Sequence, residues 1–126
     1  MALERLEITP TEESPKVVLD KETGEMEIKG RSIPENALKF FDPVHAWVKQ
    51  YSSEPNESTT VNINLEYLNS SSAKKLVEIL IEFESIASKG KDVKVVWYYK
   101  QDDELMKSRG KEFKSILELP FEIKRQ

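Results

Sequence analysis

Residues 59–72 read Thr59-Thr60-Val61-Asn62-Ile63-Asn64-Leu65-Glu66-Tyr67-Leu68-Asn69-Ser70-Ser71-Ser72, and this stretch decides the fold class. Val61, Ile63, Leu65 and Tyr67 alternate with Thr60, Asn62, Asn64 and Glu66, the period-2 signature of a strand with one buried face and one polar face. A strand covered on both faces reads instead as a continuous apolar run. After Asn69 and the serines the period changes. Ala73, Leu76, Val77, Ile79, Leu80, Phe83, Ile86 and Ala87 gather in roughly half the circumference of a helical wheel, and Gly90 stops the helix. Ile81 falls outside that arc. A half-polar strand running straight into an amphipathic helix predicts a sheet with helices packed mainly on one face.

On the N-terminal side, Lys16 to Asp20 reads as a strand, Lys21-Glu22-Thr23-Gly24 as a tight turn and Glu25 to Lys29 as a second strand, together a β-hairpin. Residues 1–14 read as a loose arm, and residues 15–126 as one domain. Ser32 and Pro34 mark a helix start, followed by Ala37, Phe40, Phe41, Val44, Trp47, Val48 and Tyr51 at helical spacing. Asp42-Pro43 is expected to end one short turn and cap a second helix running to about Tyr51, since proline inside a helix removes a bond and kinks the axis. On the C-terminal side, Val93, Val95, Trp97 and Tyr99 alternate in a further strand. A helix from Asp102 to about Ser115 opens with carboxylates suited to the helix dipole; Gly110 alone interrupts its pattern. Leu119 to Ile123 reads as a short edge strand. The expected architecture is α/β, two layers, with a mixed four- to five-stranded sheet.

Composition narrows the function. The chain has 126 residues, 38% apolar and 33% charged, with 19 Lys and Arg against 23 Asp and Glu for a net charge of −4. That balance suits a globular domain, and the lack of a basic stripe argues against nucleic acid as a partner. No apolar run approaches the ~18 residues of a membrane span, and the stretch from Met1 to Glu13 is acidic and polar; the expected location is the cytoplasm, with no membrane partner. The absence of cysteine rules out disulfides, thiolate metal sites and cysteine nucleophiles. No nucleotide-binding, nucleophile-elbow, zinc-protease or calcium-loop motif is present. His45 stands alone as a candidate acid or base and reads as an ordinary helix residue. The Glu12-Glu13 and Asp102-Asp103-Glu104 clusters read as surface and helix-end charge, and Trp97-Tyr98-Tyr99 and Trp47 as packing. No catalytic residue, metal or cofactor is expected.

The junction at Asn69 to Ser72 carries the remaining chemistry. Asn and Ser are favoured N-cap residues, whose oxygens accept backbone N–H groups that lack intrahelical partners. Capping alone explains most of this cluster. The functional alternative is a hydroxyl displayed for phosphorylation, which adds about −1.5 to −2 charges and alters what can dock there.

Ile28-Lys29-Gly30-Arg31-Ser32-Ile33-Pro34-Glu35-Asn36, then Phe41-x-Pro43-Val44-x-x-Trp47, Tyr67-Leu68-Asn69-Ser70-Ser71-Ser72 and Leu119-Pro120-Phe121 occur in an order and spacing that resemble the SiaC family of bacterial regulatory phosphoproteins, over roughly residues 15–123. The resemblance implies a fold like the STAS domain of anti-sigma factor antagonists. It also implies partner switching, in which a kinase phosphorylates a hydroxyl after the Leu-Asn pair and a phosphatase removes the phosphate. The bare form would bind and activate a diguanylate cyclase, and so act on cyclic di-GMP and biofilm formation. The corresponding hydroxyl is Ser70, where known members can carry threonine.

The resulting expectation is a non-enzymatic switch: Ser70 the phosphoacceptor, Ser71 the fallback, Asn69, Ser71 and Ser72 capping the helix, and Tyr67, Leu68, Lys74 and Ile81 on the partner-binding surface. Two alternatives differ in class: a small-molecule-binding or structural STAS-like module in which the serines only cap, and a carboxylate-based hydrolase, which needs two converging acidic side chains.

Overall fold

The computed structural model describes residues 3–126; the first two residues of the stretch read as an arm lie outside them. In chain order the elements are β1 (Leu6–Ile8), β2 (Lys16–Asp20), β3 (Glu25–Ser32), α1 (Ala37–Ser53), β4 (Ser58–Leu68), α2 (Ser70–Ser88), β5 (Asp92–Tyr99), α3 (Glu104–Ile116) and β6 (Phe121–Arg125). The strands form one sheet in the order β1-β2-β3-β4-β5-β6. β1, β2 and β3 are antiparallel neighbours, with β2 and β3 forming the expected hairpin. β3 to β6 are parallel, and each parallel step crosses through one helix. Right-handed crossovers between consecutive neighbours put all three helices on the same face.

The core follows from the alternation. Val17, Met26, Ile28, Val61, Ile63, Val95 and Trp97 from alternate strand positions join Phe41 and Val48 of α1, Leu76 and Phe83 of α2, and Met106 and Phe113 of α3 in one cluster. The opposite face of the sheet carries Asn62 and Asn64 and surface ion pairs such as Lys16–Glu27 (3.1 Å) and Lys94–Glu122 (2.9 Å). The architecture is therefore two layers with mixed strand directions.

Four expectations need correction. Among the described residues the sheet has six strands rather than four or five, because β1 lies within the stretch read as a loose arm. It pairs Leu6 with Leu19 and Ile8 with Val17, and the Trp47 indole N–H donates to the Glu4 carbonyl at 2.7 Å. Ser32 and Pro34 do not start a helix: β3 continues through Ser32, and α1 begins after Asn36, whose side chain accepts the Lys39 N–H at 3.1 Å. Pro43 does not divide α1, which runs unbroken from Ala37 to Ser53. Proline costs about 3 kcal/mol inside a helix, whereas each large apolar side chain fully buried contributes about 1.5–3 kcal/mol. Phe41, Val44, Trp47, Val48 and Tyr51 are all buried along that one stripe, and Pro43 itself is on the exposed side. Finally, α3 starts at Glu104, two residues later than expected, because Asp103 is its cap and accepts the Met106 N–H at 2.9 Å.

Gly110 keeps its place in α3 for a steric reason. A Cβ there would lie 2.6 Å from Cδ1 of Trp97, whose indole N–H donates to the Met106 carbonyl at 3.0 Å. The close approach lets α3 lie directly on the largest side chain of the core.

Candidate functional site

The carboxyl ends of β3 and β4 lie side by side, at the edge of an open α/β sheet where ligands and partners most often meet the fold. Their register explains which side chains appear there. Gly30 is opposite Leu65, but Arg31 is opposite Tyr67 and Ser32 opposite Leu68, so β4 holds one extra residue, Glu66. A one-residue slip sends the following side chains to the other face. Tyr67, which the alternation placed inward with Leu65, is 53% exposed, and Leu68 is buried in its place. Gly30 permits the shift with a φ of +123°, a conformation side-chain-bearing residues rarely adopt. The Arg31 guanidinium then lies over the Tyr67 ring, 4.7 Å from its centre, and Glu66 pairs with Lys100 at 3.2 Å.

The strand passes into α2 at Asn69. Its backbone N–H donates to the Ser32 carbonyl at 3.0 Å, tying the cap to the end of β3. Its side-chain oxygen accepts the Ser72 N–H at 2.9 Å, and the Ser71 hydroxyl donates to the same oxygen at 3.3 Å. One residue therefore does the capping that the cluster was expected to share. The Ser72 hydroxyl does not cap: the residue is wholly buried and its Oγ has no hydrogen-bond partner among the described residues. Helical phase is the cause, since Ser72 points the same way as Leu76 and Phe83.

Ser70 and Ser71 are both exposed. Ser70 is the first residue of α2; its amide and that of Ser71 have no intrahelical acceptor. Positions 70, 74, 77 and 81 fall within a narrow stripe opposite the buried face. That stripe carries Ser70, Lys74, the partly buried Val77 and Ile81, which is 48% exposed. Leu68 departs from the expected surface set, because its side chain belongs to the core.

Beside this stripe the first turns of α1 and α2 enclose a shallow groove of about 410 Å³, bordered by Asn36, Leu38, Ser71, Lys74, Lys75 and Glu78. Lys75 pairs with Glu78 at 3.1 Å, and that hydrogen bond holds the Glu78 carboxyl below the usual carboxylate range. Leu38 is 60% exposed. Sequence reasoning missed Leu38 and Arg31: the signal for the first is a leucine off the Ala37, Phe41, Val44, Val48 stripe, while the second gains its position only through the bulge. His45 meets Glu82 at 3.3 Å between the two helices, outside this groove. No group of three or more His, Cys, Asp or Glu is arranged to hold a metal among the described residues, and no helix among them is long and apolar enough to cross a membrane.

The family model described as SiaC family regulatory phosphoprotein matches residues 8–126. An uncharacterized protein of Pseudomonas aeruginosa (strain UCBPP-PA14) is 30% identical over 118 residues, which cover 94% of each chain. SiaC of Pseudomonas aeruginosa superposes with a TM-score of 0.88 at 28% identity, covering 98% of this chain and 99% of that one. A chain from the crystal structure of the diguanylate cyclase SiaD in complex with its activator SiaC, from the same organism, superposes with a TM-score of 0.90 at 29% identity, covering 96% and 99%.

Proposed function

This chain belongs to the SiaC family of regulatory phosphoproteins, and on that premise we propose that it is a non-enzymatic cytoplasmic regulator of a diguanylate cyclase, switched by reversible phosphorylation of Ser70. The reading includes the kinase and phosphatase that the switch requires, and an output in cyclic di-GMP and biofilm formation. The structural match to a chain of the SiaD–SiaC complex supports the cyclase as the target. The likeness to STAS-domain antagonists belongs to the same reading: a hydroxyl at the head of a helix that follows a central parallel strand.

One observation supports Ser70, the position that the family resemblance singles out. Its hydroxyl is exposed at the start of α2 while Asn69 supplies the cap, so a phosphate can be added without dismantling the helix start. The free first-turn amides and Lys74 favour the added negative charge. A partner seated over Ser70, Lys74 and Ile81 meets that charge directly, which converts a local modification into a change of partner. That Asn69 supplies the side-chain cap favours this reading over the capping-only alternative.

The test is binding of wild type, Ser70→Ala and Ser70→Asp to a diguanylate cyclase of the same host, with cyclic di-GMP production as the second readout. Wild type and Ser70→Ala are expected to bind and activate, and Ser70→Asp to lose both. Equal binding by Ser70→Asp would remove Ser70 from the mechanism. Phosphopeptide mapping on protein from the native host separates Ser70 from Ser71.

A further inference from the structure

Among the described residues β6 pairs on one side only, with β5. The ladder determines which of its backbone groups are used. The Val95 N–H donates to the Pro120 carbonyl at 2.9 Å, and the Gln126 N–H to the Tyr99 carbonyl at 2.9 Å. Residues that bond to a given neighbour alternate along a strand, so positions 122 and 124 also face β5. The N–H and C=O groups of Phe121, Ile123 and Arg125 are therefore directed away from the sheet. Such a row is a template for a further strand.

α3 runs beside this edge with Lys107, Lys111 and Lys114 at spacings of four and three residues, which places them on one side of the helix. With Tyr99, Phe121 and Ile123 they border an open groove of about 840 Å³. None of the three joins an ion pair among the described residues. Glu122 also borders the groove, but its carboxylate is engaged with Lys94 at 2.9 Å. Lys107 lies over the Tyr99 ring at 5.7 Å. A concentration of uncompensated positive charge beside a free strand edge, in a chain of net charge −4, marks a surface for an anionic partner.

We infer that the β6 edge accepts an extended acidic segment of a partner protein as a seventh strand. Its main chain bonds to Phe121, Ile123 and Arg125, and its carboxylates, on alternate residues, face the three lysines. Lys124 and Arg125 on the edge repel a second basic edge and suit an acidic one. The surface does not rest on the Ser70 reading, and its failure leaves that reading untouched.

The experiment uses the full chain and a fluorescent eight-residue peptide of alternating aspartate and valine, with a lysine–valine peptide as control. The expected result is saturable binding of the acidic peptide alone, with slowed hydrogen exchange at the amides of Phe121, Ile123 and Arg125. A Lys111→Glu, Lys114→Glu double variant alters two exposed side chains and should weaken binding by roughly tenfold or more. Ile123→Pro removes an outward N–H that β5 does not use, a position where edge strands tolerate proline, and should abolish binding. Circular dichroism verifies that each variant is folded, and the charge variant keeps the test decisive if Ile123→Pro unfolds. Absence of peptide binding, binding that ignores the charge reversal, or binding without protection of the edge amides overturns the inference. Lysine-dependent capture by phosphatidylglycerol vesicles in place of the peptide also overturns it, in favour of a lipid surface.

Discussion

The Arg31 guanidinium rests on the Tyr67 ring, 4.7 Å from its centre, and both side chains are where they are because β4 holds one residue more than β3 across from it. The pair stands at the same end of the sheet as Ser70, so the surface next to the candidate phosphosite is shaped by a backbone irregularity. Its dependence on Gly30 can be measured.

Gly30→Ala is expected to destabilise the protein by about 1–3 kcal/mol, the cost of holding a side-chain-bearing residue in a sparsely populated conformation. The added methyl has room, with Pro15 Cα 3.7 Å away, so the loss would be conformational rather than steric. Denaturant unfolding gives the magnitude. Amide and ring shifts of Tyr67 report whether the register has moved, and an unchanged stability would refute the bulge's dependence on glycine.

Asn69→Ala should lower stability by about 0.5–2 kcal/mol, the usual value of an N-cap, whereas Asn69→Asp should retain most of it. The same substitution exposes the Ser70 region to fraying, so hydrogen exchange in the first turn of α2 should accelerate in Asn69→Ala and not in Asn69→Asp. Serines that shared the capping, contrary to the structure, would leave both variants near wild type.

Ser70→Asp places a carboxylate at the positive end of α2 and is expected to be neutral or stabilising by about 0.3–1 kcal/mol. Ser72→Asp puts a charge where the hydroxyl is wholly buried and should cost more than about 3 kcal/mol. Comparing their thermal unfolding separates a switch that acts by charge on the surface from one that acts by unfolding. It also predicts that phosphopeptides recovered from the folded protein carry the modification at Ser70 or Ser71 and never at Ser72.

The hydrogen bond from Lys75 lowers the pKa of Glu78 below the ordinary carboxylate value, and the charges of Lys75, His45 and Lys74 act in the same direction. Because the folded value is the lower one, the pair's contribution to stability is complete above the ordinary carboxylate value. It is lost as pH falls through the depressed value. Carboxyl carbon shifts of Glu78 should titrate below those of a Lys75→Met variant, whose midpoint should rise. Superimposable curves would show that Lys75 does not act on the groove.

Much of this molecule is legible in its sequence, and the exceptions have physical causes. The alternation of Val61, Ile63 and Leu65 and the arc of α2 are local patterns, and they locate both the half-covered sheet and the junction at Asn69. β1 is not legible because three residues carry too little pattern, and its pairing is a tertiary fact reinforced by Trp47. The local penalty of Pro43 was outweighed by a buried stripe that only the assembled sheet provides. Tyr67 and Leu68 exchange faces because an extra residue in one strand is visible only against the register of its neighbour. The three serines are chemically alike, and only their phase on α2 separates the exposed Ser70 and Ser71 from the buried Ser72. Residue patterns alone read Ser70 as a capping residue, and the proposal that it is a phosphoacceptor rests on the family resemblance.

The agreement between sheet order and chain order has a consequence for how the molecule is made. A chain emerging from the ribosome would deliver each strand when its one earlier neighbour is already present, so no strand waits for a partner synthesised later in order to be placed. Assembly can proceed in the direction of translation, each helix folding down over the strands just added. Each parallel pairing still has to close over a whole helix, Met26 against Val61 and Val61 against Val95, so these non-local pairings are the slow steps of an assembly that is otherwise ordered along the chain.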